Sequence, residues 1–213
     1  EGHVEITRLL LDAGTDKDLQ GRSDHTALMC AAEKGHVEIA QLLLQAGADH
    51  SIESCAGFTP LMLAAANGRV EVARLLLDTG ADKDLKSRGG EVAQLLLAIG
   101  ADKDLELEGF FGYTALMVAA KNGHVDITRL LLDAGAKKDL QRNDGYTALM
   151  LAARNGWVEI ARSLLEAGAD KDLESRSGNT ALMFAEERGH GDVAKLLRAK
   201  ARKITGQRAV RRT

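Results

Sequence analysis

Two short patterns of apolar and polar positions alternate along the 213-residue chain. One recurs as TALMCAA from Thr26, TPLMLAA from Thr59, TALMVAA from Thr114, TALMLAA from Thr147 and TALMFAE from Thr180. The other recurs as VEITRLLLDAG from Val4, VEIAQLLLQAG from Val37, VEVARLLLDTG from Val70, VDITRLLLDAG from Val125 and VEIARSLLEAG from Val158, with variants from Glu91 and Asp192. In this second pattern, polar residues fall at i, i+3 and i+7, as in Glu5, Arg8 and Asp12, so one solvated stripe runs along an otherwise apolar helix. A helix apolar over so much of its surface requires neighbours on both flanks. The first pattern predicts a short helix opened by a threonine N-cap; Pro60 follows Thr59, where a missing N–H costs nothing. Glycines such as Gly35 and Gly156 after the first pattern, and Gly47 and Gly168 after the second, predict left-handed helix ends.

The helix-opening threonines lie 33, 55, 33 and 33 residues apart. Units that bury apolar faces against copies of themselves form stacked arrays. The repeating GxTALMxAAxxGHVEIAxLLLxAGADKDL resembles the ankyrin repeat over residues 1 to 199, as seven units with the first cut short and the fourth truncated. The resemblance implies an all-α solenoid of stacked helix-turn-helix units joined by extended β-turn fingers. TALM stands where the family usually has T-P-L-H, so any hydrogen bond made by that imidazole is absent. Units one to three then occupy 1–85, the truncated unit 86–105, units five to seven 106–199, and a basic tail 200–213.

The truncated unit carries EVAQLLLAIGADKDL without a preceding TALMxAA segment. Thirteen residues are missing and the following linker is two longer than its equivalent, which accounts for the 55-residue interval. Leu95, Leu96 and Leu97 lose a packing partner, and a leucine left wet forfeits about 1.5–3 kcal/mol of burial. The neighbours are expected to close the gap only in part. Two readings stay open: a hinge between blocks 1–85 and 106–199, or a chain from which coding sequence has been skipped.

Charge refines the picture. The chain carries a net −3, yet Lys195 to Thr213 holds eight Lys or Arg and no acid, so removing those eight leaves a body at −11. The tail residues Lys200, Arg202, Lys203, Arg208, Arg211 and Arg212 fit a solvated end, a nuclear address or a tether to anionic surfaces. Cys30 and Cys55 form no CxxC pair, and no run of 18 apolar residues or secretory leader occurs, so an intracellular, cytoplasmic setting is expected, or a nuclear one through the tail. The chain begins inside a repeat without Met and is expected to be part of something longer.

Features repeated in every unit read as scaffold. Asp16-Lys17-Asp18 resembles half a calcium loop, but its twelfth position is Ala27 and the motif recurs, so it reads as a solvated turn. His3, His36, His124 and His190 occur once per unit, and stacked helices roughly 8–10 Å apart space them too widely for one zinc. They read as structural loop residues, with Trp157 in the same place in the sixth unit. Cys30 reads as a small core residue beside Ala31 and Ala32. No GxxxxGK[ST] or HExxH occurs, so neither an enzyme nor a metal, cofactor or small-molecule site is expected.

Deviating positions carry the functional signal. Phe58, Tyr113 and Tyr146 precede helix-opening threonines, and Phe110 and Phe111 lie in the neighbouring turn. By the family resemblance these positions face a concave binding surface, with Lys121 and Asn122 in unit five and Asn143, Asp144, Arg154 and Asn155 in unit six. Phe110 and Phe111 read either as plugs for the truncated unit or as contacts. The expected function is non-catalytic binding of another protein on that surface. The alternatives are an electrostatic tether to nucleic acid or anionic membrane through the tail, and a regulatory or substrate-presenting segment of a larger enzyme.

Overall fold

A computed structural model describes residues 2–21, 24–87 and 112–199. Helices follow in the order α1 (Val4–Asp12), α2 (Ala27–Lys34), α3 (Val37–Gln45), α4 (Pro60–Ala66), α5 (Val70–Asp78), α6 (Ala115–Asn122), α7 (Val125–Asp133), α8 (Ala148–Asn155), α9 (Val158–Glu166) and α10 (Ala181–Glu187), then α11 over 191–199. No strand occurs among the described residues. Helices of two turns do not persist alone in water, so packing against neighbours must hold each one. The TALM helices α2, α4, α6, α8 and α10 stack on one another in that order as an inner row. Helices α3, α5, α7 and α9 lie behind their own inner helix and follow one another as an outer row begun by α1.

Local chemistry explains each boundary. Thr26, Thr59, Thr114, Thr147 and Thr180 are extended, and each Oγ1 accepts the N–H of the methionine three residues on, at 3.2–3.4 Å. The outer helix α1 shows what an inner partner contributes. Ile6 and Leu10 are 54% and 51% exposed there, whereas the equivalent Ile39 and Leu43 of α3, behind α2, are 9% and 2% exposed.

Two rows of polar bonds tie successive units. In the first, a ring or guanidinium N–H donates to a carbonyl at the end of the preceding inner helix. Arg69 Nε reaches Glu33 O at 3.1 Å, His124 Nε2 reaches Ala66 O at 2.9 Å, Trp157 Nε1 reaches Lys121 O at 3.1 Å, and His190 Nε2 reaches Arg154 O at 3.1 Å. These carbonyls belong to the last turns, which lack helical partners of their own. In the second row, Asp18, Asp84 and Asp139 accept the backbone N–H of Asp49, Lys137 and Asp170 at 2.7–2.8 Å. The Asp-Lys-Asp motif is thus a joint between units. Asp49 also accepts the Ser51 hydroxyl and N–H, and these bonds hold its carboxyl below the usual range, the hydroxyl contributing most.

Both rows run across the irregular interval without a break. His124 and Asn122 donate to Ala66, Asp84 accepts from Lys137, and α4 packs directly on α6. The neighbours therefore close up fully, where a partial closure was expected, because the polar joints of unit three find their partners on unit five. The finger between them closes with Ser87 N–H on Tyr113 O and Gly112 N–H on Ser87 O, both at 2.9 Å. Ser54 with Phe58 and Gly57, and Ser175 with Asn179 and Gly178, close their fingers by the same pair of bonds. Residues 88–111, which include Leu95, Leu96 and Leu97 and most of the segment read as a hinge, stand in the sequence where the other fingers have two residues, and lie outside the described residues.

The glycine closing α8 meets two constraints at once. Gly156 has φ +77°, and a Cβ on it would lie 2.6 Å from His190 Nδ1 of the next unit. Gly178 has φ +78° with open space around it. Gly178→Ala should cost the left-handed conformation, about 1–2 kcal/mol, and Gly156→Ala should cost more by displacing the His190 ring. Urea unfolding of the two variants checks this; equal losses would show that the ring contact contributes nothing.

Candidate partner-binding face

The fingers and the inner helices line one face, and the repeat register sorts its residues into rows. Directly after TALM come Cys30, Leu63, Val118, Leu151 and Phe184; one turn later come Glu33, Ala66, Lys121, Arg154 and Glu187. Cys30 is exposed here, which corrects its reading as a core residue: it opens the first row instead of joining Ala31 and Ala32 beneath. Cations occupy the second row in units five and six.

Those two cations belong to a stack of charged and aromatic groups. Lys121 Nζ sits 5.3 Å from the Tyr113 ring centroid, and the Arg142 guanidinium lies 4.8 Å from the Tyr113 ring and 4.9 Å from the Tyr146 ring. Arg154 follows at 5.7 Å from Tyr146, whose ring packs 4.8 Å from Phe184. Arg142 is 8% exposed, donates to the Tyr113 hydroxyl, and makes a forked ion pair with Asp144, Nε to Oδ1 at 2.5 Å and Nη2 to Oδ2. A guanidinium tolerates such burial because Asp144 and the Tyr113 hydroxyl accept from all three of its nitrogens and two tyrosine rings lie within cation–π range.

Register explains how Arg142 came to lie there. Its position five residues before the helix-opening threonine holds Gly21, Ser54 and Ser175 in other units. The hydroxyls of Ser54, Ser87 and Ser175 accept the N–H of Phe58, Tyr113 and Asn179. An arginine has no acceptor, and in unit six Asp144 Oδ1 accepts the Tyr146 N–H at 3.2 Å in its stead. Asp144 thus replaces the missing hydroxyl and neutralises its replacement. Sequence reasoning singled out Asp144 but missed Arg142; the signal was a large cation at a site where every sibling is small.

The expected contact residues divide accordingly. Tyr113, expected to face the binding surface, does not offer a free ring: it is 3% exposed, with Lys121 and Arg142 both within cation–π range and its hydroxyl taken by Arg142. Tyr146 and Arg154 are half-buried, with Arg154 Nη1 directed at the Tyr146 hydroxyl at 3.4 Å. Phe58 is half-buried against the core. Lys121, Asn143 and Asn155 are exposed, the Asn155 amide donating within its own helix to Leu151 O. Asn122 is exposed yet committed, its amide donating to Ala66 O at 3.0 Å. Phe110 and Phe111, and the tail cations Lys200, Arg202, Lys203, Arg208, Arg211 and Arg212, lie outside the described residues.

A family model described as ankyrin repeats (3 copies) matches residues 1–87, 85–175 and 134–208. The chain belongs to the ankyrin-repeat family. Ankyrin repeats are generally protein–protein interaction modules, and proteins built from them are typically non-catalytic scaffolds. No curated protein matches this ankyrin-repeat chain. Among the described residues, no group of three or more His, Cys, Asp or Glu is placed to hold a metal, and no helix is long and apolar enough to cross a membrane.

Replacing Arg142 by Met should cost about 1–3 kcal/mol, since Asp144 keeps a partly buried charge and Tyr113 loses a donor. Arg142→Ser with Asp144→Ser rebuilds the finger of the sibling units and should cost clearly less. Urea unfolding of both variants tests whether the guanidinium holds the rings or merely fills space.

Proposed function

We propose that this chain is a non-catalytic ankyrin-repeat scaffold that grips a protein partner on the face of fingers and inner helices, centred on units five and six. The stack Lys121, Tyr113, Arg142, Tyr146, Arg154 supports the reading. It lies at positions where the units deviate from one another, and a core of leucine and alanine has no need of it. Aromatic and arginine groups with a rigid framework behind them suit an interface anchor, because little side-chain entropy remains to be lost on binding. The two free, exposed thiols accord with a reducing, intracellular setting.

The runner-up is a tether to anionic surfaces, supported by the eight cations and absence of acids from Lys195 to Thr213. Affinity capture from a cell extract separates the two. The baits are the intact chain, Lys121→Glu with Arg154→Glu, and a deletion of residues 200–213, each checked by circular dichroism. A discrete protein partner should be lost with the double substitution and kept by the deletion. The reverse pattern would move the function to the tail and make the array a spacer.

A further inference from the structure

We infer that the partner segment held by units five to seven is an acidic peptide, lying along a cationic strip that runs from Lys86 across the fingers of units six and seven. This rests on the proposed inner-face reading and adds the chemistry of the partner. The strip continues the charged stack sideways. Beside Arg142, the fingers enclose an open, mostly polar cleft of about 340 Å³, lined among others by Lys86, Arg142, Asn143, Glu174 and Arg176. The fingers touch there: Arg176 N–H donates to Asp144 O at 2.9 Å, and Lys86 Nζ donates to Gln141 O at 2.6 Å.

Charge along this surface opposes that of the molecule. Among the described residues the strip holds Lys86, Lys121, Arg142, Arg154 and Arg176 against Asp144 and Glu174, while the chain as a whole is at −3. Asp144 is spent on Arg142. None of Lys86, Lys121, Arg154 and Arg176 forms a salt bridge among the described residues. On the inner row the cations are confined to units five and six: at the Lys121 register unit two carries Glu33 and unit seven carries Glu187. An acidic segment is therefore attracted to the inner helices of units five and six and to the fingers beside them, and repelled by the inner helices of units two and seven, which limits where it can lie. Units stacked roughly 10 Å apart place Lys86 and Arg176, two units from each other, roughly 20 Å apart, the span of about six extended residues. Asn143, exposed at the middle tip, supplies both a donor and an acceptor for the backbone of such a segment.

The test uses the intact chain and three fluorescein-labelled probes: an octapeptide of alternating Glu and Ser, its Gln-for-Glu counterpart, and an octamer of uridylate. Fluorescence anisotropy should show binding of the Glu peptide, none of the Gln peptide, and an affinity about tenfold weaker at 0.5 M than at 0.1 M salt. Lys121→Glu with Arg176→Glu should weaken it at least tenfold, whereas Lys34→Glu in unit two, which reverses a charge outside the strip, should leave it unchanged. Equal binding of Glu and Gln peptides, no binding up to millimolar concentration, or indifference to the strip reversals would overturn the inference. Tighter binding of the uridylate octamer through the same residues would overturn it in favour of nucleic acid. If the Glu peptide fails while Lys121→Glu with Arg154→Glu still abolishes protein capture, the inner-face reading stands and the acidic chemistry falls. If capture survives that double substitution, the inner-face reading itself falls.

Discussion

Every element of this protein depends on the interface between one unit and the next. A helix of seven to nine residues gains too little from its own hydrogen bonds to offset its nucleation cost. Burial between neighbours supplies the difference, and it is non-directional, so it does not by itself set register. The polar joints do. A ring nitrogen on a helix carbonyl and an aspartate on a backbone N–H have one geometry each, and they repeat from unit to unit. His124 and His190, the Asp-Lys-Asp turns and the closing glycines are parts of this joint.

That division of labour explains how the array carries an irregular interval. Stacking needs the inner helix, the outer helix and the base of the finger, and all of these are present on both sides of residues 88–111. A finger tip is the place where a change of chain length disturbs the joint least, because the two bonds that close the finger sit below it. Ser87 and Gly112 make those bonds as Ser54 and Gly57 do, so unit five receives the same template that unit three received.

The repeat, its caps and its stops were legible because each rests on local chemistry: threonine before a helix, glycine after it, and apolar residues at helical spacing. Three things were not. Cys30 was placed in the core because it adjoins two buried alanines, yet the helix turns its position to the open face. Adjacency of units three and five depends on bonds between residues more than fifty apart, such as Lys137 and Asp84, which no local pattern encodes. The register of Tyr113 points to the inner surface but does not show that the ring is covered; Arg142, which covers it, comes from the next finger. The clue was present in the alignment of the units with one another, where Arg142 replaces Gly21, Ser54 and Ser175, but it required asking what a deviation would displace.

The scaffold and the candidate site also share residues. The carbonyl of Lys121 accepts from Trp157, and that of Arg154 accepts from His190, so the backbone beneath each of these cations is fixed by the following unit. Their side chains then rest against tyrosine rings held by Arg142. A cation on a fixed backbone and against an aromatic face has already lost much of the freedom that binding removes. The joints that make stacking specific therefore prepare the inner face, and a partner arriving at units five and six meets charges already set in place.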